Sequence, residues 1–187
     1  QFAGYYAAAE KGFFRDEGLE VEILEGAAGR TPLGTVLSGK ADFGVSDADV
    51  LHARLQGSPV VVCAAVFQHS PYIMMSRKDS GIRVPADLID RTVMISNDHG
   101  GVAHLAMLRR EGLPVERIRI VPHTWRLDDL IEGRVDAISA YVTAEPSQMR
   151  ARGVEPHVMK ATDYGIDFYG DTLFTREDVA RDRQRPA

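Results

Sequence analysis

The feature that most limits how this chain can fold is a unit that occurs twice. Leu37-Ser-Gly-Lys-Ala-Asp-Phe-Gly-Val-Ser-Asp-Ala-Asp49 is answered later by Ile131-Glu-Gly-Arg-Val-Asp-Ala-Ile-Ser-Ala-Tyr141. In each copy an apolar helix end meets a Gly, a basic residue, a small apolar residue, an Asp and a short apolar strand. Gly39 and Gly133 fit the position just past a helix, where positive φ is needed, and Lys40 and Arg134 suit the negative end of the helix dipole. The strands Phe43–Val45 and Ala137–Ser139 each run into a segment that opens another helix, which is where parallel α/β sheets place ligands. The repeat therefore predicts an α/β fold of two lobes, each a mainly parallel sheet flanked by helices, with the two strand ends facing each other across a cleft.

The rest of the chain fills in around this unit. Gln1–Gly12 has the Ala-rich composition of a first helix, Phe13–Gly18 makes a turn, and Leu19–Leu24 alternates as a half-exposed strand does. Helices are expected over Pro32–Leu37, Val50–Leu55, Val102–Glu111, Leu127–Ile131 and Glu145–Arg152. The continuous apolar run Val60–Val66 predicts a strand buried on both faces, with Cys63 inside it as a small hydrophobe. Further strands are expected at Tyr72–Ser76, Thr92–Ile95, Val158–Met159 and Leu173–Thr175. Chain order then gives a first lobe of residues 1–81 plus 163–187 and a second lobe of residues 82–162, and the two crossings between them make a hinge.

Several function classes are disfavoured. A formal net charge of −5 and the lack of a basic run give no footprint for nucleic acid or a membrane surface. One cysteine and six scattered histidines offer neither a disulfide nor the spacing of a metal site, and no Gly-x-Ser-x-Gly elbow is present. No cofactor, metal or catalysis is expected. No window of about 18 apolar residues occurs. The chain opens on Gln1 in mid-element, and we expect a preceding strand and any targeting or membrane segment to lie outside it.

Three groups carry binding chemistry. The loop Ser96-Asn-Asp-His-Gly-Gly101, between a strand and a helix, offers backbone N–H groups of the kind that hold phosphate or carboxylate, with a plain capped turn as the alternative. Asp47, Asp49 and Glu145 follow the two repeated strands and can hold an amine or a protonated ring nitrogen. They can equally be helix caps, the favoured role for Asp47. Of the aromatic residues, Tyr141, Tyr164 and Tyr169 are placed to stack on a flat ligand, whereas core packing is expected for Phe67 and Trp125.

Gln1–Ala8 with Glu10–Phe14, Gly18–Ile23, Ser38–Val45 and Arg54–Val62 together resemble one family. They are similar to periplasmic solute-binding proteins of the type II fold, in the branch related to the yeast thiamine-pyrimidine synthase and to bacterial pyrimidine-precursor-binding proteins. Val66–Tyr72, Lys78–Leu88 and above all Asp163–Thr175 are similar to versions that serve as extracytoplasmic input domains of bacterial sensor kinases and cyclic-dinucleotide signalling proteins. The resemblance covers nearly the whole chain and implies a hinged clamp that closes on a small molecule. It implies a pocket drawing on Tyr5, Asp47, His69, Ser96, Asn97, Gly100, Gly101, Tyr141, Glu145, Tyr164 and Asp167. The family's first strand with its tryptophan, the long helices after Arg176 and the synthase's cysteine-rich motif are not in this chain.

The function expected is therefore the ligand-sensing input domain of a bacterial membrane signalling protein, periplasmic or extracytoplasmic, closing on a heterocyclic or amine-bearing solute such as a thiamine pyrimidine precursor. Its partners would be that ligand and the membrane-anchored kinase or cyclase domains of the same chain. The alternatives are a free substrate-binding protein working with an ABC permease and a pyrimidine synthase-type enzyme.

Overall fold

The computed structural model describes residues 2–27, 30–96 and 99–182. In chain order it contains α1 (Ala3–Glu10), α2 (Phe13–Asp16), α3 (Pro32–Leu37), β1 (Phe43–Ser46), α4 (Asp49–Leu55), β2 (Val60–Ala65), β3 (Tyr72–Arg77), β4 (Thr92–Ile95), α5 (His99–Arg110), β5 (Arg119–Pro122), α6 (Asp128–Ile131), β6 (Ala137–Tyr141), α7 (Glu145–Ala151), β7 (Pro156–Lys160), β8 (Thr172–Arg176) and α8 (Glu177–Arg181). Contacts divide it into one unit of Gln1–Ala64 with Thr172–Ala187 and a second of Ala65–Asp171.

Both copies of the repeated unit form. Gly39 and Gly133 each sit at φ 74°. After α3, the Gly39 N–H donates to Val36 O and the Lys40 N–H to Thr35 O, each at 3.0 Å, the paired bonds of a Schellman ending. After α6, the Gly133 N–H reaches Leu130 O at 3.2 Å. The recurring Asp ties its strand to a neighbour: Asp136 accepts the Thr92 N–H at 2.8 Å and returns its own N–H to Thr92 O at 2.8 Å. A second likeness appears only in three dimensions. The antiparallel partner of β1 is β8 and that of β6 is β3, and both partners end in Arg-x-Asp. Arg176 donates to Val36 O of α3 at 2.7 Å, and Arg77 donates to Ile131 O of α6 at 3.3 Å. Each Arg also pairs with the Asp two residues on, Asp178 at 3.0 Å and Asp79 at 3.1 Å. An arginine from the neighbouring strand thus caps the carbonyl end of each repeated helix.

In the second unit the sheet order is β5-β4-β6-β3-β7. β4 is parallel to β5 and β6, while β3 is antiparallel to β6 and β7. Side chains alternate between two cores. Met74, Val93, Ile95 and Ala137 pack with Ala103, Met107 and Leu108 of α5 on one face. Ile73, Met75, Met94, Ile138 and Ala140 pack with Leu127, Leu130 and Met149 under α6 and α7 on the other. With both faces covered, these strands read as unbroken apolar runs.

The first unit has a smaller core of Val36, Val50, Ala53, Val60 and Phe174 around a sheet ordered β1-β8-β2. Four expectations are corrected here. The sheets are not mainly parallel: β1 and β8 are antiparallel, and the larger sheet is mixed. Leu19–Leu24 pairs with no strand, since none of the described strands lies beside it to complete a ladder. β2 is not buried on both faces, because it lies at a sheet edge where only Val60 reaches the core; Val61 and Val62 are exposed. Cys63 is exposed with them. Contacts place β3 with β6 and β7 in the second unit.

Candidate functional site

Topology gathers the chemistry at one edge of the five-stranded sheet. With β4, β5 and β6 parallel and β3 antiparallel between β6 and β7, the C-terminal ends of β4, β5, β6 and β7 share an edge with the start of β3. The connections leaving that edge contain seven of the expected site residues: His69, Ser96, Gly101, Tyr141, Glu145, Tyr164 and Asp167. Gly100 is also there, in the first turn of α5. Asn97 lies outside the described residues.

Ser96, at the end of β4, is 5 % exposed, and its N–H donates to Ser139 Oγ at 2.9 Å. The Ser139 hydroxyl in turn reaches Ser96 Oγ at 3.2 Å. Ser139 was not among the expected site residues; its signal was a hydroxyl inside the apolar strand Ala137–Tyr141, a place where a polar group must find a partner. Gly101 packs so closely that a Cβ there would lie 1.8 Å from Ser96 O.

At the end of β6, Glu145 opens α7 and accepts the Tyr141 N–H at 2.8 Å through Oε2. This fixes the carboxylate, and Oε1 has no hydrogen-bond partner among the described residues. The Tyr141 ring makes edge contacts with Tyr72 at 5.0 Å and Phe67 at 6.2 Å, and its hydroxyl donates to Asp171 Oδ1 at 3.2 Å.

His69 and Asp167 were expected to face a ligand, and the structure joins them to each other. His69 Nδ1 lies 2.6 Å from Asp167 Oδ2, and Asp167 Oδ1 accepts the Ser70 N–H at 3.4 Å. The hydrogen bond from His69 is the main reason that the Asp167 carboxyl titrates below the ordinary range. Asp167 therefore contributes stability above the unfolded carboxylate value near about 3.9 and loses it as pH falls through its depressed folded value. The advantage of wild type over Asp167→Asn is expected to be present at neutral pH and to shrink as pH falls through and below the ordinary carboxylate range, measured by urea unfolding across that range.

Tyr164 packs beside the α5 core, and burial is the first cause of its raised pKa, with Glu111, Asp163 and Asp87 adding to it. In the first unit, Tyr5 lies on α1 and is half-buried. Asp47 follows β1 and accepts the Asp49 N–H at 3.2 Å, as a cap does. Asp49 Oδ1 is shielded from solvent and has no hydrogen-bond partner among the described residues, which leaves an acceptor for a ligand N–H.

Trp125 is not core. It is 69 % exposed, on a backbone with φ of 60°. It borders a cavity of about 220 Å³ whose walls include His123, Arg126, Ile138, Glu145 and Gln148. Across the cavity Arg152 pairs with Asp128 at 2.6 Å. Among the described residues no group of three or more His, Cys, Asp or Glu could hold a metal ion, and no helix is long and apolar enough to cross a membrane.

Known proteins are similar to this chain in sequence and in fold. The chain is 31% identical over 174 residues to the riboflavin-binding protein RibY of Chloroflexus aurantiacus, covering 87% of this chain and 48% of that one. It is 27% identical over 178 residues to the formylaminopyrimidine-binding protein of Halalkalibacterium halodurans, covering 93% and 54%. It thus spans about half the length of the curated relatives it matches. The crystal structure of the periplasmic aliphatic sulphonate-binding protein SsuA from Escherichia coli superposes with a TM-score of 0.72 at 21% identity, over 95% of this chain and 62% of that one. The family described as NMT1/THI5 like matches residues 1–186, and the chain belongs to it.

Proposed function

We propose that this chain is the small-molecule-binding part of an extracytoplasmic solute-binding protein that serves an ABC importer, taking a heterocyclic or amine-bearing solute such as a pyrimidine precursor. The observation that carries the reading is the gathering of Ser96, Ser139, Tyr141 and Glu145 at the edge where parallel strands end. The oriented carboxylate of Glu145 suits an amine or ring N–H, and the tyrosines beside it suit a flat ring. The names of the relatives support binding of riboflavin and of a formylaminopyrimidine, and the name of the solved neighbour supports a periplasmic place. Those names favour a free binding protein over the sensor input domain expected from the sequence, and binding over synthase-type catalysis.

A thermal-shift screen of pyrimidines, flavins, sulfonates, amines and amino acids tests the reading, since a bound solute stabilises the fold by mass action. Glu145→Gln keeps an acceptor for the Tyr141 N–H but removes the charge. It is expected to weaken the solute that binds about tenfold, or about 1.4 kcal/mol. Equal binding by wild type and Glu145→Gln would remove Glu145 from the site.

A further inference from the structure

We propose, building on the solute-binding reading, that residues 163–171 form a strap latched by His69 and Asp167, and that the solute's site is complete only while the strap is latched. His69 and Asp167 were expected to touch the solute. In this arrangement they are positioning residues, which act on it through Tyr141.

The strap joins the two ends of the second unit, which begins at Ala65 and closes at Asp171. The Val66 and Phe67 N–H groups donate to Asp171 O at 2.8 and 3.2 Å, and the Gly170 N–H donates to Phe67 O at 3.0 Å. Glycine permits this approach, since a Cβ on Gly170 would lie 2.6 Å from Pro71 Cδ and 2.9 Å from Phe67 Cβ. Among the described residues no helix or strand lies between Tyr164 and Thr172. The start of the strap rests on the α5 core through Ile166 and Phe168, and Arg110 donates to Gly165 O at 3.3 Å. Asp167, between them in sequence, ties the strap to the opposite segment with both oxygens. Oδ2 lies 2.6 Å from His69 Nδ1, and Oδ1 accepts the Ser70 N–H at 3.4 Å. The His69 side chain is 77% exposed and that of Asp167 39%. An exposed pair contributes modestly to stability, which suits a tie that opens and recloses without disturbing the cores.

The far end of the strap reaches the residues proposed to hold the solute. Asp171 is 6% exposed, and its Oδ1 accepts the Tyr141 hydroxyl at 3.2 Å. The Tyr141 ring also meets Phe67 edge-on at 6.2 Å, so both segments of the strap's zipper touch it. The Tyr141 N–H in turn holds Glu145 Oε2 at 2.8 Å, and the next residue, Val142, donates its N–H to Pro71 O at 3.0 Å. Unlatching therefore frees the tyrosine that orients the Glu145 carboxylate. A solute that needs Tyr141 and Glu145 in place binds the latched form, and binding must hold the strap shut by the same free energy.

Amide exchange followed by NMR, with and without solute, tests this. The probes are cytosine, riboflavin, ethanesulfonate, putrescine and L-histidine, and the one that raises the melting temperature most is used. At 100 times its Kd, exchange of the Val66, Phe67 and Gly170 amides is expected to slow up to about a hundredfold. Without solute, His69→Ala should speed exchange of these amides roughly two- to fivefold. His69→Asn, which keeps an N–H near the Nδ1 position, should restore most of the protection. His69→Ala combined with Asp167→Ala should exchange no faster than Asp167→Ala alone, because the pair acts as one tie. Gly170→Ala pushes the strap from Phe67 and Pro71 and should weaken the probe about tenfold. Unchanged exchange on saturation with a bound probe overturns the strap, as does unchanged exchange in His69→Ala. Loss of probe binding in His69→Ala with wild-type exchange assigns His69 to the solute itself and also overturns it. In these three cases the solute-binding reading stands. If no probe shifts the melting temperature, both fall.

Discussion

Replacing Phe174 by Ala is expected to cost the fold about 3–5 kcal/mol, the usual loss for a fully buried phenylalanine. The value follows from how little else holds the first unit. Phe174 is 0% exposed and, among the described residues, is the one aromatic member of a core of Val36, Val50, Ala53 and Val60 with Leu33 and Ala41 packed against it. Its ring lies against the β1 backbone, so close that a Cβ at Gly44 would be 2.7 Å from it. That contact leaves little room for neighbours to collapse into the space. Urea unfolding followed by circular dichroism measures the loss. Phe174→Leu, which keeps most of the volume, should cost under about 1.5 kcal/mol. A loss below about 1 kcal/mol for Phe174→Ala would mean that this core does not hold the unit together.

Gly101→Ala is expected to cost about 3 kcal/mol, the upper end of the range for overpacking. Its Cβ would lie 1.8 Å from Ser96 O and 3.0 Å from Ile95 Cγ2, so backbone must move. The movement would reach the Ser96–Ser139 bonds, and solute affinity should fall along with stability. Gly4, inside α1 with nothing within 4 Å of its added Cβ, is the contrasting case. There Ala should stabilise by up to about 1 kcal/mol, because it removes only the glycine's cost in a helix. Urea midpoints of the two variants, compared with the thermal shift given by a bound solute, check both signs. Equal midpoints for Gly101→Ala and wild type would show that the turn into α5 tolerates the methyl group.

Part of the local geometry of the candidate residues was legible because it follows from local rules. Glu145 could be placed at a helix start after a repeated strand, and Asp47 as a cap, from neighbours a few residues away. Ser139 and His123 could not, since their roles depend on residues 43 and 16 positions distant in sequence. The same limit explains Trp125. An indole between apolar segments reads as core, whereas in the structure Trp125 is exposed, on a left-handed backbone whose N–H bonds His123 Nδ1. His69 and Asp167, both legible as polar loop residues, meet across 98 positions and hold the loop from Asp163 to Asp171. Val60–Val66 misled in the opposite direction: an apolar run records what a strand can tolerate on its faces, whereas burial depends on whether other layers arrive to cover them.

By itself the sequence determined the repeated unit. Gly39 and Gly133 at positive φ and the helix endings before them are set by backbone conformation and hydrogen bonds within a single turn. Tertiary structure alone decided which strand lies beside each copy. β8 and β3 are 126 and 61 residues from their partners, counting between the facing residues Ser46 and Thr172 and between Ser76 and Ala137. Their matching Arg-x-Asp ends acquire meaning only when Arg176 and Arg77 reach the open carbonyls of α3 and α6. Strand pairing is a long-range choice made by the burial of whole faces, and no window of local sequence contains it.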